Sequence, residues 1–160
     1  MQVYKNYYSA MYNASLRILK DTFEAEDIMQ EAFLTAFTKL DTFKGEVAFG
    51  AWLKRIVINK SLTQLKKNNT YQDVKMDVIK DTTIETEDAI DYTSLHASKV
   101  LETLNSLKEN YRIILNLHLI EGYDYEEIGH ILGYTNENVR TTVSRAKKKL
   151  KQQLVLETAS

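Results

Sequence analysis

Two clusters of side chains in this 160-residue sequence have types and spacings suited to recognition of nucleic acid. Trp52, Arg55 and Asn59 stand at i, i+3 and i+7, which gathers an indole ring, a guanidinium and an amide along one side of a helix. The cation can meet phosphates, and the amide and ring can meet a base edge or a stacked base. Arg140, Thr141, Ser144, Arg145 and Lys148 fall at i, i+1, i+4, i+5 and i+8, the outer face of a second helix. Such a face suits entry into a DNA major groove, with arginine available for guanine and lysine for phosphate. A third cluster, Glu26, Asp27, Gln30 and Glu31, is acidic and lies in the first turns of another helix. It either compensates the helix macrodipole, at a few tenths to about 1 kcal/mol per charge, or forms a docking surface for a basic partner.

Nothing in the sequence is arranged for catalysis. There is no cysteine, hence no thiolate nucleophile, no thiolate zinc site and no disulfide framework, as expected in a reducing cytosol. His96, His118 and His130 lack metal-ligand spacing, and no carboxylate pair, Ser/His arrangement or phosphate-binding glycine loop stands out. No catalytic residue, metal, cofactor or small-molecule substrate is therefore expected. The N-terminus has no continuous apolar run, and no window approaches the roughly 18 apolar residues of a spanning helix, so a cytoplasmic location is expected.

The balance of 21 Lys+Arg against 22 Asp+Glu, a formal charge of -1, argues superficially against nucleic acid. Its layout argues the opposite. Lys54, Arg55, Lys60, Lys66 and Lys67 form a basic run without an acid, and so do Arg140, Arg145, Lys147, Lys148, Lys149 and Lys151. Between them, Asp73 to Asp91 holds seven acidic residues against Lys75 and Lys80. Each basic run alone suits a solvated helix face; two on separate helical units suggest a groove or phosphate track.

The elements that must carry these groups are helical. Zero proline, five glycines and 44% hydrophobic residues predict an all-α protein, with long helices and few enforced breaks. The spacing predicts a first helix over 3–20, with Val3, Tyr7, Tyr8, Met11, Tyr12, Leu16, Ile18 and Leu19 inward. A second follows Asp21 and Thr22, both N-cap candidates, with Ala25, Ile28, Met29, Ala32, Phe33, Ala36, Phe37 and Leu40 as its apolar stripe. A loop from Asp41 to Gly50 holds Phe43 and Phe49, which either plug the core or offer stacking faces. In the helix from about Ala51 to Lys67, Leu53, Val57, Ile58 and Leu65 gather around Ser61. Arg55, Asn59, Thr63 and Lys66 lie opposite, with Trp52 and Ile56 at the border.

The acidic stretch has the weakest periodicity and reads as a flexible linker between two small helical domains: 1–70, then the linker 71–95, then 96–156. In the second domain Val100, Leu101, Leu104, Leu107, Ile113, Ile114, Leu117 and Leu119 mark two helices broken near Lys108 to Asn110. Asp124 with Glu127 makes a capping box, Gly133 a turn and Thr135 another N-cap. Ile128, Leu132, Val139, Val143, Ala146 and Leu150 then supply the inner contacts of a helix-turn-helix, with Gly129 where the helices approach.

Ala25 to Phe33 (AEDIMQEAF), Phe43 to Asn59 (FKGEVAFGAWLKRIVIN) and Asp124 to Leu150 (DYEEIGHILGYTNENVRTTVSRAKKKL) together resemble the group-four, extracytoplasmic-function sigma factors of bacterial RNA polymerase. The resemblance spans nearly the whole chain in the family's order, with a short linker in place of the middle domain of larger sigma factors. It implies that Glu26, Asp27, Gln30 and Glu31 bind the clamp helices of core RNA polymerase. It implies that Phe43, Lys44, Trp52, Arg55 and Asn59, joined by Lys66, bind the opened, single-stranded minus-10 element of promoter DNA. It further implies that Arg140, Thr141, Ser144, Arg145 and Lys148 read the duplex minus-35 element, and that an anti-sigma factor is a partner. Gly129, Asn136-Glu137-Asn138 and Thr142 depart from the family's usual residues. The alternatives are a stand-alone helix-turn-helix regulator, which needs a dimer interface or a sensing domain, and a structural helical adaptor.

Overall fold

The computed structural model describes residues 2–72 and 92–158; the expected linker falls mostly on residues 73–91, outside them. The chain divides into two compact units, with the division between residues 83 and 84. All regular elements among the described residues are helical: α1 (Gln2–Leu19), α2 (Thr22–Thr38), α3 (Phe49–Gln72), α4 (Tyr92–Ser106), α5 (Glu109–Leu115), α6 (Tyr125–Leu132) and α7 (Asn136–Thr158), plus one 3₁₀ and one π turn.

In the first unit α1, α2 and α3 each pack on the other two. The α1–α2 connection is two residues long: Lys20 is left-handed at φ 58° and its N–H donates to the Leu16 carbonyl, and Asp21 then caps α2. Of the two N-cap candidates Asp21 takes the role, Oδ1 accepting from the N–H groups of Phe23 (2.9 Å) and Glu24 (3.1 Å). Met11, Met29, Ala32, Phe33, Ala36, Leu53 and Val57 form the core, rimmed by Tyr7, Tyr8, Tyr12, Phe49, Trp52 and Ile56. Alanines at 14, 25, 32 and 36 are all buried, so the helices approach on short side chains.

Two polar links cross this unit. The buried Ser61 hydroxyl donates to the Val57 carbonyl at 2.7 Å, which leaves Ser15 Oγ, 2.8 Å away, to donate to Ser61 Oγ. Farther along α3, Gln64 Nε2 donates to Asn68 Oδ1 and Asn68 Nδ2 donates to Glu24 Oε2, both at 2.9 Å, tying the end of α3 to the start of α2. Leu65 is only half-buried, so the expected inner face of α3 is fully enclosed at Leu53, Val57, Ile58 and Ser61 and opens beyond them.

In the second unit α7 packs against α4, α5 and α6. Leu104, Leu107, Ile113, Ile114, Leu115, Leu117 and Ile128 meet Val139, Val143, Ala146 and Leu150 in its core. Val100, Leu101 and Leu119, which mark helical periodicity in the sequence, are exposed. Arg112 is only 4% exposed; burial lowers its pKa from the guanidinium's ordinary value, and the Glu109 carboxylate opposes the shift. The chain leaves α5 through a π turn, Asn116–Ile120, whose Asn116 carbonyl accepts from the Glu121 N–H at 2.9 Å. His118 Nδ1 lies 2.9 Å from the Tyr123 carbonyl, so it carries the ring proton and donates, pinning the loop before α6.

The serine pair yields the first expectation. Ser61→Ala strands the Ser15 hydroxyl in the core and lowers stability by about 1–3 kcal/mol, while Ser15→Ala/Ser61→Ala together cost no more than Ser61→Ala alone. Urea unfolding followed by the emission of Trp52, the sole tryptophan, measures both.

Candidate nucleic-acid interfaces

The loop before α3 closes on aromatic rings. The 3₁₀ turn Leu40–Thr42 is fastened by Thr42, whose N–H and Oγ1 both donate to the Lys39 carbonyl, at 2.9 and 2.6 Å. Gly45 takes positive φ with open space around it, as a turn in a surface loop requires. Phe43 lies with its ring centroid 5.1 Å from Trp52 and 5.8 Å from Phe49; Phe49 is 5.7 Å from both Trp52 and Tyr7. The two loop phenylalanines thus pack on Trp52 as a half-buried aromatic wall that seals one end of the core. At Gly50 a Cβ would come within 2.8 Å of the Tyr7 ring, so α1 meets the start of α3 over a glycine.

From that wall α3 carries the predicted polar residues outward. Arg55 is half-buried and carries an interaction of its own; Asn59 and Lys66 are exposed, as is Lys44 in the loop. Thr63 Oγ1 donates to the Asn59 backbone carbonyl at 2.9 Å. Phe43 and Trp52 are brought into ring contact, and Arg55, Asn59 and Lys66 follow along one face of the same helix.

The acidic face of α2 is more apolar than its sequence suggests. Glu26, Asp27, Gln30 and Glu31 are all exposed. Phe23 is 82% and Leu34 69% exposed, and with Asp27 and Gln30 they fall at i, i+4, i+7 and i+11, one straight stripe. Phe37 and Leu40, expected in the buried stripe, are 44% and 47% exposed. Phe37 lies in the last turn of α2 and Leu40 beyond its end, in the 3₁₀ turn, where the helical period no longer sets the buried face. The signal for Phe23 and Leu34 was their wheel position among the acids. Large apolar side chains mixed with carboxylates on a solvent face suit a protein partner better than macrodipole compensation does.

The helix-turn-helix is built from local rules that the sequence states outright. Asp124 Oδ1 accepts from the Glu127 N–H at 2.8 Å and Glu127 Oε1 accepts from the Asp124 N–H at 3.1 Å, a complete capping box. α6 ends at Gly133, left-handed at φ 73°, with the N–H groups of Gly133 and Tyr134 both donating to the Gly129 carbonyl. Thr135 Oγ1 accepts from the Asn138 N–H at 3.1 Å and starts α7. Ile128, Val139, Val143, Ala146 and Leu150 are buried as expected; Leu132 is only half-buried. Opposite them Arg140, Thr141, Ser144, Arg145 and Lys148 are all exposed, with Lys147, Lys149 and Lys151 alongside. Thr141 Oγ1 donates to the Glu137 carbonyl at 3.0 Å.

No group of His, Cys, Asp or Glu among the described residues could hold a metal ion, and the His96 side chain lies outside them. Chemically, the first unit offers an amide, cations and an aromatic wall, and the second a cationic helix face. Both suit binding to a nucleic acid.

Comparison with known proteins agrees with this division. The family model for Sigma-70 region 2 matches residues 3–71, and that for Sigma-70, region 4, matches residues 97–150. The chain is similar to the ECF RNA polymerase sigma factor SigW of Bacillus subtilis, with 31% identity over 92% of this chain and 84% of that protein. It is 30% identical to the RNA polymerase sigma-H factor of Pseudomonas aeruginosa, over 87% of this chain and 77% of the other. Its fold is similar to that of the sigma factor RpoE of Bartonella quintana, solved with the anti-sigma factor NepR. There the TM-score is 0.70 at 24% identity, covering 96% of this chain and 94% of that one. CnrH, solved with the cytosolic domain of CnrY, gives a TM-score of 0.58, also at 24% identity, covering 97% and 86%.

A Cβ at Gly129 would stand 2.9 Å from the Tyr134 carbonyl oxygen, a backbone atom that cannot swing aside. Gly129→Ala is expected to cost about 1–3 kcal/mol, seen as lost hydrogen-exchange protection in α6 and the start of α7 with the first unit unchanged.

Proposed function

The chain belongs to the extracytoplasmic-function sigma factors of the sigma-70 family, and we propose that its three exposed faces divide the work of that role. As a sigma factor it directs RNA polymerase to promoters for transcription initiation, and its family consists of regulators that act by binding. In the proposed division, residues 1–70 are the region-two domain, 71–95 the acidic linker and 96–156 the region-four domain. The single observation that carries this reading is the order of two different sigma regions along one chain, each with its own exposed polar helix face.

Glu26, Asp27, Gln30 and Glu31, with Phe23 and Leu34 among them, dock on the clamp helices of core RNA polymerase. The apolar side chains supply the area that loses water, and the carboxylates meet a basic partner and set its orientation. Phe43, Lys44, Trp52, Arg55, Asn59 and Lys66 hold the opened minus-10 strand. Because only unpaired DNA offers a base to this face, binding shifts the duplex toward the melted state without any chemical step. Trp52 is half-buried, its ring in contact with Phe43 and Phe49.

Arg140, Thr141, Ser144, Arg145 and Lys148 enter the major groove of the minus-35 element. The four buried residues on the opposite side of α7 hold that face outward. Catalysis has no part in this mechanism, and the protein works in the cytoplasm. No described helix is long and apolar enough to cross a membrane. An anti-sigma factor is the expected regulator; RpoE and CnrH, whose folds this chain shares, were each solved with a partner, the first with an anti-sigma factor.

Gel filtration with core polymerase followed by run-off transcription tests the whole reading. Co-elution and promoter-dependent transcripts are expected; tight autonomous binding to duplex DNA, unaffected by polymerase, overturns it. Arg145→Ala is expected to weaken minus-35 binding by about 1–3 kcal/mol on the cognate sequence, and an equal loss on scrambled duplexes reassigns it to phosphate. Asn59→Ala is expected to impair open-complex formation, read by permanganate reactivity of the minus-10 strand, while duplex minus-35 binding stays intact.

A further inference from the structure

One residue of the outer face of α7 has no place in the cationic reading. Glu137 is exposed in the first turn, and with Thr141, Ser144 and Lys148 it falls at i, i+4, i+7 and i+11. That stripe lies directly opposite the buried Val139, Val143, Ala146 and Leu150, so the carboxylate sits on the centre line of the groove-facing surface. It is the only acid in α7 before Glu157, and six basic residues follow it within fourteen positions.

Its two neighbours are differently placed. Asn138 is engaged inside the helix: its Oδ1 accepts from Thr142 Oγ1 at 3.3 Å, and its carbonyl accepts from the same hydroxyl at 2.7 Å. Asn136 stands about a quarter turn off the stripe. Glu137 is therefore the side chain that the tip of a recognition helix presents to the groove floor first.

We propose that Glu137 is a specificity-determining residue of the minus-35 contact, accepting a hydrogen bond from the exocyclic amino group of a cytosine. A carboxylate carried between two phosphate backbones loses water and gains repulsion, so it is tolerated only where the DNA returns a donor. In the major groove guanine and thymine edges present acceptors, which repel it. Adenine offers N6–H₂, but its N7 lone pair lies beside that amino group. Cytosine offers N4–H₂ beside its own C5–H, so it is flanked by an acceptor on one side only, O6 of the paired guanine, where adenine N6 is flanked on both. The proposal rests on α7 as the minus-35 reader and names the base at one position of that element.

The test uses holoenzyme assembled from this chain and core RNA polymerase, selecting from promoter duplexes randomised across the minus-35 element, with bound and free pools sequenced. The wild-type protein is expected to prefer cytosine at one position by about tenfold over guanine or thymine. Glu137→Ala flattens that position alone, and Glu137→Gln moves its preference toward adenine, which a carboxamide can bind through N6 and N7. A uniform change in affinity across all sequences with Glu137→Ala shows helix-end or phosphate electrostatics and overturns the proposal. Preferences elsewhere that persist while Glu137→Ala changes nothing overturn Glu137's role and leave the minus-35 reading standing. A wild-type holoenzyme that selects no base anywhere in the element overturns both.

Discussion

Everything the first unit can offer to DNA depends on how α3 is rotated about its own axis. That rotation is set by a hydroxyl in the core. Ser61 spends its proton on the Val57 carbonyl and receives one from Ser15, so α1 and α3 share a buried polar contact that is satisfied in a single alignment. Leu53, Val57 and Ile58, all buried, agree with it. Once this side of α3 is fixed inward, Asn59 and Lys66 have no direction left but outward. The Glu24–Asn68–Gln64 chain then anchors the far end of the same helix to α2, so the acidic face and the polar face of α3 belong to one rigid piece.

The near-neutral total charge hides an uneven layout, in which the stretch Asp73 to Asp91 offsets an excess of cations elsewhere. The cations are concentrated on α3 and α7, where phosphates are the expected ligands, and acids dominate the exposed start of α2, where a protein is. Mixing the same residues evenly over the surface gives the same sum and none of the local fields that steer association. The exposed Phe23 and Leu34 add what charge cannot, since an interface made only of charges gains orientation and little affinity.

Much of the fold was legible because its rules are local. The capping box at Asp124, the left-handed Gly133, the Thr135 cap and the apolar spacing of α7 each specify geometry within a few residues, and all four agree on a helix-turn-helix. The faces of α3 and α7 followed from period alone. What resisted was whatever depends on distant neighbours. The aromatic wall of Phe43, Phe49 and Trp52 is completed by Tyr7, some forty residues away in sequence, which no local pattern announces. Phe37 and Leu40 obey the apolar period of α2 yet are exposed, because Phe37 stands in its last turn and Leu40 past its end, which the period does not state. The π turn at Asn116 has no local signature; it arises where the chain must drop from α5 to the Asp124 cap, and His118 then holds it against the Tyr123 carbonyl.

The contact between Gly129 and the Tyr134 carbonyl also bears on how this sequence can change over time. The turn has closed to a distance that excludes a methyl group at that place. Residue 129 is therefore not free to drift on its own: the connection between α6 and α7 must first loosen, and only then does alanine become a neutral replacement. The order of substitutions at this turn is thereby constrained, and the constraint is a backbone oxygen inside the protein, independent of DNA recognition.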